Sequence, residues 1–167
     1  MRLLLGSLAA AALATIGVPA ATAQAATTAG AGSGAAAVGT ARENEVVRLV
    51  NVQRAQKGCR AVRHHPQLHK AARAHSADMA EHRYFFSRSR DGRSFTERIE
   101  DAGFKHGRHL AENLAKGQRT PAMVVGAWMD AAGTRATILD CRYTYIGVGA
   151  AEDADGAIYW TQDFATK

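Results

Sequence analysis

The order of apolar and polar positions divides the chain into a featureless beginning, a helical middle and an alternating end. From Glu43 to Gln56, Val46, Leu49 and Val50 recur at the spacing of one helix face, and Val47 and Val52 widen the stripe. Gly58 stops that helix. His65-Pro66 opens a second one, in which Leu68, Ala71, Ala72, His75 and Met79 share a face. Ser94-Phe95-Thr96-Glu97 has the form of a capping box, in which hydroxyl and carboxylate satisfy each other's backbone amides. The helix it starts presents Phe95, Ile99 and Ala102 and ends at Gly103. Thr120-Pro121 joins an N-cap to a proline at the first helical position, where a missing N–H loses no partner. That fourth helix presents Val124, Val125 and Trp128.

After Cys141 the period shortens to two. Tyr143, Tyr145, Gly147 and Gly149 alternate with Thr144, Ile146 and Val148, and a turn-rich stretch runs from Glu152 to Gly156. From Ala157 to Phe164 the alternation returns, with Ile158, Trp160, Gln162 and Phe164 on one side. This predicts a C-terminal β-hairpin, and residues His109 to Leu114 supply one further strand. The fold class is α+β, helices around a small antiparallel sheet, with no internal repeat.

The N-terminus lacks such periods. Arg2 is the only charge before Arg42, Leu3 to Val18 is apolar, and Ala21-Thr22-Ala23 and Ala23-Gln24-Ala25 both fit a signal peptidase site. This predicts a secretory signal peptide over residues 1–25, too short and wrongly flanked for a membrane anchor, and a mature protein that is extracellular. No other apolar run is long enough to span a bilayer. Residues 26–41 are Ala, Gly, Thr and Ser with a lone Val38, a flexible linker that inflates the 47% hydrophobic content. Residues 42–167 remain, the size of one domain with one core.

Charge narrows the partners. The chain carries 21 basic and 15 acidic residues, for +6; loss of the leader removes Arg2 and no acid, leaving +5. That excess favours anionic surfaces such as wall polymers or acidic lipid head groups. The basic residues are scattered and aromatics make up only 7% of the chain, which argues against nucleic acid. Two cysteines, Cys59 and Cys141, in a secreted chain point to a disulfide rather than to a metal site or a nucleophile.

The candidate chemistry is ambiguous residue by residue. All seven histidines lie between His64 and His109. His75 and His82 share a helix face but cannot close a tetrahedral metal site by themselves. His75 reads as a core histidine, and His64, His65 and His69 read as surface residues. Glu112 stands among Leu110, Ala111 and Leu114, and a carboxylate entering an apolar segment needs partners and marks a candidate site.

The succession of short motifs is more specific. Val50-Asn51-Val52-Gln53-Arg54-Ala55, Gly58-Cys59, His75-Ser76-Ala77-Asp78-Met79, Tyr84-Phe85 and Asp91-Gly92 come first. Then follow Ala111-Glu112-Asn113-Leu114-Ala115, Ala127-Trp128-Met129, Arg135 to Leu139, Ile146-Gly147-Val148-Gly149 and Tyr159-Trp160-Thr161-Gln162-Asp163-Phe164. From about Glu43 to Phe164 this order resembles the CAP superfamily (cysteine-rich secretory proteins, antigen 5 and pathogenesis-related 1 proteins, or SCP domains) in its bacterial form. The resemblance implies an α-β-α sandwich, secretion, and a pairing of Cys59 with Cys141. It also implies a cleft that usually holds two histidines and two acids and in several members binds a divalent metal. Activities suggested for the family include sterol or lipid binding and peptidase action.

Carried over position by position, the cleft glutamate falls on Glu112. Ser87 stands where the first histidine is expected and Thr134 where the second is. Asp130 is the nearest candidate for the second acid. A hydroxyl is a poor zinc ligand, and a general base made of those imidazoles is lost. The expectation is therefore a monomeric, non-catalytic extracellular binding protein for lipid, sterol or anionic wall polymer, with no cofactor and zinc disfavoured. The alternative is a metal-dependent hydrolase or peptidase, with His75 or His82 standing in for a lost ligand. Arg88 and Arg135 could instead flank Glu112 as an anion site. A serine hydrolase using Ser87 lacks the nucleophile-elbow pattern. In the turn Gly133-Thr134-Arg135, Gly133 is expected to bend the chain and Thr134 to cap a helix.

Overall fold

The computed structural model describes residues 37–167; the expected leader over residues 1–25 and most of the lead-in lie outside the described residues. Five helices and four strands follow in the order α1 (Ala41–Gln56), β1 (Arg63–His64), α2 (Pro66–His82), α3 (Phe95–Asp101), β2 (Arg108–Lys116), α4 (Pro121–Asp130), α5 (Ala132–Ile138), β3 (Tyr145–Glu152) and β4 (Ile158–Thr166). The chain is α+β. The helix starts follow their local chemistry: Ser94 and Glu97 form the expected capping box, and the Thr120 hydroxyl accepts the Met123 N–H at 3.2 Å. Helix α1 has a capping box too, Thr40 with Glu43, so the helix takes in the last residues read as flexible lead-in.

The sheet order is β1-β3-β4-β2. Strand β4 pairs antiparallel with both β2 and β3, whereas the two-residue β1 pairs parallel with β3, so the sheet is mixed. Two residues have no period, and nothing in the pattern announces β1. On one side α1, α4 and α5 bury Val46, Val50, Val124, Trp128 and Ile138 against Ile146, Val148, Trp160 and Phe164. On the other, α2 and α3 bury Leu68, Ile99 and Met79 against Ala165 and Tyr159. Strand β4 is therefore buried on both faces, and Tyr159, Thr161 and Asp163 are as inaccessible as the expected set from Ile158 to Phe164.

Helix α2 rests directly on the backbone of β3. A Cβ at Gly147 would lie 2.1 Å from the Leu68 carbonyl carbon, and one at Gly149 2.3 Å from the Arg73 nitrogen. No side chain fits there without moving the helix, which is why the strand reads Ile-Gly-Val-Gly.

Beyond β1 the free edge of β3 is closed by side chains. The Val148 N–H donates to His64 Nε2 at 3.3 Å, and the Ala150 N–H to the Glu43 carboxylate at 3.1 Å. Burial pushes the His64 imidazole down to about 4, and the neighbouring His69 adds to this. His64 and His69 are thus parts of the sheet edge rather than the surface residues expected of them. Buried Arg54 ties α1 to the far end of the chain, donating to the carbonyls of Arg60, Ile138, Asp140 and Tyr143 at 2.7–3.2 Å. Cys59 and Cys141 are joined by a disulfide beside it, their Cα atoms 4.9 Å apart across 82 residues. Closing a loop of that length stabilises the fold by about 4 kcal/mol in the chain-entropy model.

Candidate functional site

Strand β2 forms the sheet edge, and its alternation sends successive side chains to opposite layers. Glu112 faces α2 and α3; Asn113 faces α4 and α5, where its amide donates to the Thr134 carbonyl at 3.2 Å and to Gln162 at 3.1 Å. The Glu112 side chain is only 4% exposed. One carboxylate oxygen accepts from the Ser87 hydroxyl at 2.6 Å and the other from the Arg98 guanidinium at 2.5 Å. Of the candidate residues, then, Glu112 and Ser87 meet.

The ion-pair partner, Arg98, is not among the residues that the sequence singles out. It sits in the last turn of α3, one residue before Ile99, and its other nitrogen donates to the carbonyls of Ser87 and Arg93 and to the Ser89 hydroxyl. A single buried guanidinium thus neutralises Glu112 and fastens the loop between α2 and α3. Arg88 donates instead to the Gly92 carbonyl and Arg135 to the Met129 carbonyl, so neither flanks Glu112.

A second acid does lie beside Glu112, and it is Asp163, the residue opposite it in the β2–β4 register. Asp163 is 2% exposed and its Oδ1 has no hydrogen-bond partner. Burial pushes its carboxyl well above the usual range, and the neighbouring Glu112 charge adds to this against the pull of Arg98. Burial also raises Glu112, opposed by Arg98 and Ser87. Two buried carboxyls therefore share one cation, and the arrangement holds a proton on the pair. Asp130, by contrast, is exposed at the end of α4 and makes no hydrogen bond or ion pair with Glu112, Ser87 or Thr134 among the described residues.

Thr134 takes another role. It is the third residue of α5, whose N-cap is Ala131 without a side-chain bond, so neither the expected cap at Thr134 nor a bend at Gly133 occurs. Its hydroxyl donates to the Trp128 carbonyl at 2.6 Å, next to the bond from Arg135 to Met129. Together they satisfy two carbonyls left open where α4 stops.

His75 is buried, and its Nε2 lies 3.1 Å from the Phe86 carbonyl, which assigns the proton to Nε2. Burial, followed by the Arg98 charge, pushes it down to about 4, so the ring is neutral and Nδ1 is an acceptor without a partner. His82 lies at the exposed end of α2 on Asp78. A cavity of about 400 Å³ opens between α2, α3 and the intervening loop, lined by His75, Arg98, Ser89, Asp78, Arg90 and Arg93 among others. The donors present do not fit a zinc ion at the family position. Ser87 is a hydroxyl already bound to Glu112, the Thr134 hydroxyl is turned to α4, and the charge facing Glu112 is a guanidinium. Among the described residues no group of three or more His, Cys, Asp or Glu side chains is placed to hold a metal ion.

Arg98 and Asp163 are each legible in part. Arg98 adjoins Ile99 on the buried face of a capped helix, and Asp163 interrupts an apolar strand. Their meeting depends on the β2–β4 register and on the packing of α3, which no local pattern contains.

The family model described as "Cysteine-rich secretory protein family" (CAP) matches residues 47–164. The uncharacterized protein YkwD of Bacillus subtilis is 40% identical over 128 residues, 77% of this chain and 48% of that protein. The uncharacterized membrane protein YlbC of the same organism is 31% identical over 133 residues, 78% of this chain and 36% of that one. The chain thus spans less than half the length of either relative. Among solved structures, an extracellular protein containing an SCP domain from Bacillus anthracis superposes with a TM-score of 0.68 at 23% identity, covering 75% of this chain and 40% of that one. An outer surface protein of Borrelia burgdorferi superposes at 0.70 with 17% identity, covering 78% and 96%. These two likenesses carry the fold.

Proposed function

Because the chain belongs to the cysteine-rich secretory protein (CAP) family and its cleft glutamate is bound from within the fold, we propose that it is a secreted, non-catalytic member that binds lipid or anionic cell-surface material. The observation that supports this is the state of Glu112. Both carboxylate oxygens are taken, by Ser87 and by Arg98, and the side chain is 4% exposed. A general base needs an accessible lone pair within reach of the proton it removes, and a metal ligand needs a carboxylate that is not already neutralised. Glu112 offers neither. The positive balance of the chain suits an anionic surface. No helix among the described residues is long and apolar enough to cross a membrane.

Native mass spectrometry of the protein from culture supernatant, with calorimetric zinc titration, tests this reading. The expected result is a retained lipid or no ligand, and no saturable zinc binding. Tight zinc binding that disappears in Glu112→Gln would overturn it in favour of a metal-dependent hydrolase.

A further inference from the structure

We propose that the loop between α2 and α3 is a membrane-docking loop that inserts Phe85 and Phe86 into the interface of an anionic bilayer. The inference rests on the binding role proposed above for the class of its partner, but it concerns a different surface from the Glu112 cleft.

The sequence of this loop, Arg83-Tyr84-Phe85-Phe86-Ser87-Arg88-Ser89-Arg90-Asp91-Gly92-Arg93, joins two phenylalanines to four arginines and one acid. Phe85 is 48% and Phe86 67% exposed, while both tryptophans of the chain are buried. Two adjacent large apolar side chains left in water by a fold that buries its other aromatics so well call for a partner.

The exposure does not come from a slack backbone. The Phe86 carbonyl accepts from buried His75 at 3.1 Å, and the Ser87 carbonyl from buried Arg98 at 2.7 Å. The Ser87 hydroxyl donates to Glu112, and the Ser89 N–H to the Arg93 carbonyl at 2.9 Å. The buried groups that close the cleft therefore hold this loop from beneath, so both rings point outward without a floor of their own.

Charge selects the partner. Arg83 pairs with Asp155, and Arg93 with Asp91 and Asp101. Arg88 and Arg90, exposed on the same loop just beyond the phenylalanines, form no salt bridge among the described residues, and the carboxylate that Arg88 does influence, Glu97, is already bound by the Ser94 cap. Aromatic rings beside exposed guanidinium groups that make no salt bridge match the layered chemistry of an anionic membrane surface, with acyl boundary beneath and phosphate above. An apolar protein groove would satisfy the rings but not the arginines.

The test uses the full secreted chain and vesicles of phosphatidylglycerol and phosphatidylcholine in equal parts, with phosphatidylcholine alone as the comparison. Co-sedimentation is expected with the anionic vesicles only. The double change Phe85→Ser with Phe86→Ser should lower the partition about tenfold at any ionic strength, whereas Arg88→Gln with Arg90→Gln should lower it at low salt and little at high salt. Thermal melting should be nearly unchanged in both, since these side chains belong to none of the buried clusters. In a Phe85→Trp variant the new fluorophore should shift to the blue on addition of anionic vesicles, above the constant signal of buried Trp128 and Trp160. Vesicle binding unaffected by the phenylalanine changes would overturn the loop assignment and leave the binding role standing. Absence of vesicle binding alongside a dimer that dissociates in the phenylalanine variant would assign the patch to self-association instead. Absence of both, with lipid still retained by the purified protein, would overturn the docking loop but not the proposed function.

Discussion

Two sets of carboxyl groups lie buried in the fold, one at the β3 edge of the sheet and one on the β2 side, and they are in opposite states. Glu43, at the β3 edge, is fully inaccessible yet receives four donors: Arg73 at 2.6 Å, the Thr40 N–H at 2.7 Å, the Ala150 N–H at 3.1 Å and His69 at 3.2 Å. Burial alone would raise it, but hydrogen bonds from Thr40, Arg73 and Ala150 outweigh burial and hold it down to about 2. On the β2 side, Glu112 and Asp163 have two donors between them, both on Glu112, and burial wins at both groups. Burial is common to the two regions. The count of donors per carboxylate decides which acid is a charge and which a proton reservoir.

The largest expected effect follows from removing the one cation of the poorer site. Arg98→Met should destabilise the fold by about 4 kcal/mol, because it leaves buried carboxyls unpaired and releases the loop carbonyls. Urea unfolding measures it, and a loss below about 1 kcal/mol would mean that the two acids simply take up protons and need no cation.

Glu43→Gln should cost roughly 2 kcal/mol by orphaning charged and backbone donors. It should also change the pH profile. An acid held below its unfolded value binds fewer protons when folded, so its stabilisation is present above about 4.5 and is lost as the pH falls toward about 2. The wild type should weaken through that window and the variant should not; parallel profiles would sink the account.

Asp163→Asn should act in the opposite direction, raising stability by roughly 1 kcal/mol at neutral pH, since it replaces a buried acid with a neutral isostere. Here the folded chain holds a proton that the unfolded chain releases, so the wild type loses ground as the pH rises above 3.8. A variant that gains nothing on raising the pH, relative to wild type, would mean Asp163 is ionised in the fold.

The smallest effect belongs to Thr134. Thr134→Val removes the bond to the Trp128 carbonyl and should cost about 1 kcal/mol in a melting experiment, with the pH profile of the Glu112–Asp163 pair unchanged. A shifted profile would place Thr134 in the carboxyl site after all.

Much of the architecture is legible in the chain. The apolar periods place the faces of α1, α2 and α4, and the Ser94 and Thr120 signals place two helix starts, because caps and periods are local chemistry written within a few residues. Glu112 stands out as a carboxylate in an apolar strand, and the structure does bury it. The reading of Thr134 as a cap misses because the helix starts three residues earlier, with Ala131 as its N-cap, and a hydroxyl inside a first turn can serve the helix before it as well as its own.

What the sequence by itself determined is whatever depends on near neighbours: the helices and the hairpin, the capping residues, and the two glycines that let α2 touch β3. What only the tertiary structure decided is every relation across the sheet. Strand β1 exists because β3 offers an edge, Asp163 meets Glu112 because β2 and β4 pair in one register, and Arg98 answers both because α3 packs over that register. These contacts join residues separated by long stretches of chain, and a pairing shifted by one residue would turn Glu112 and Asp163 to opposite faces. The ionisation of the site is therefore a property of the register and not of any motif.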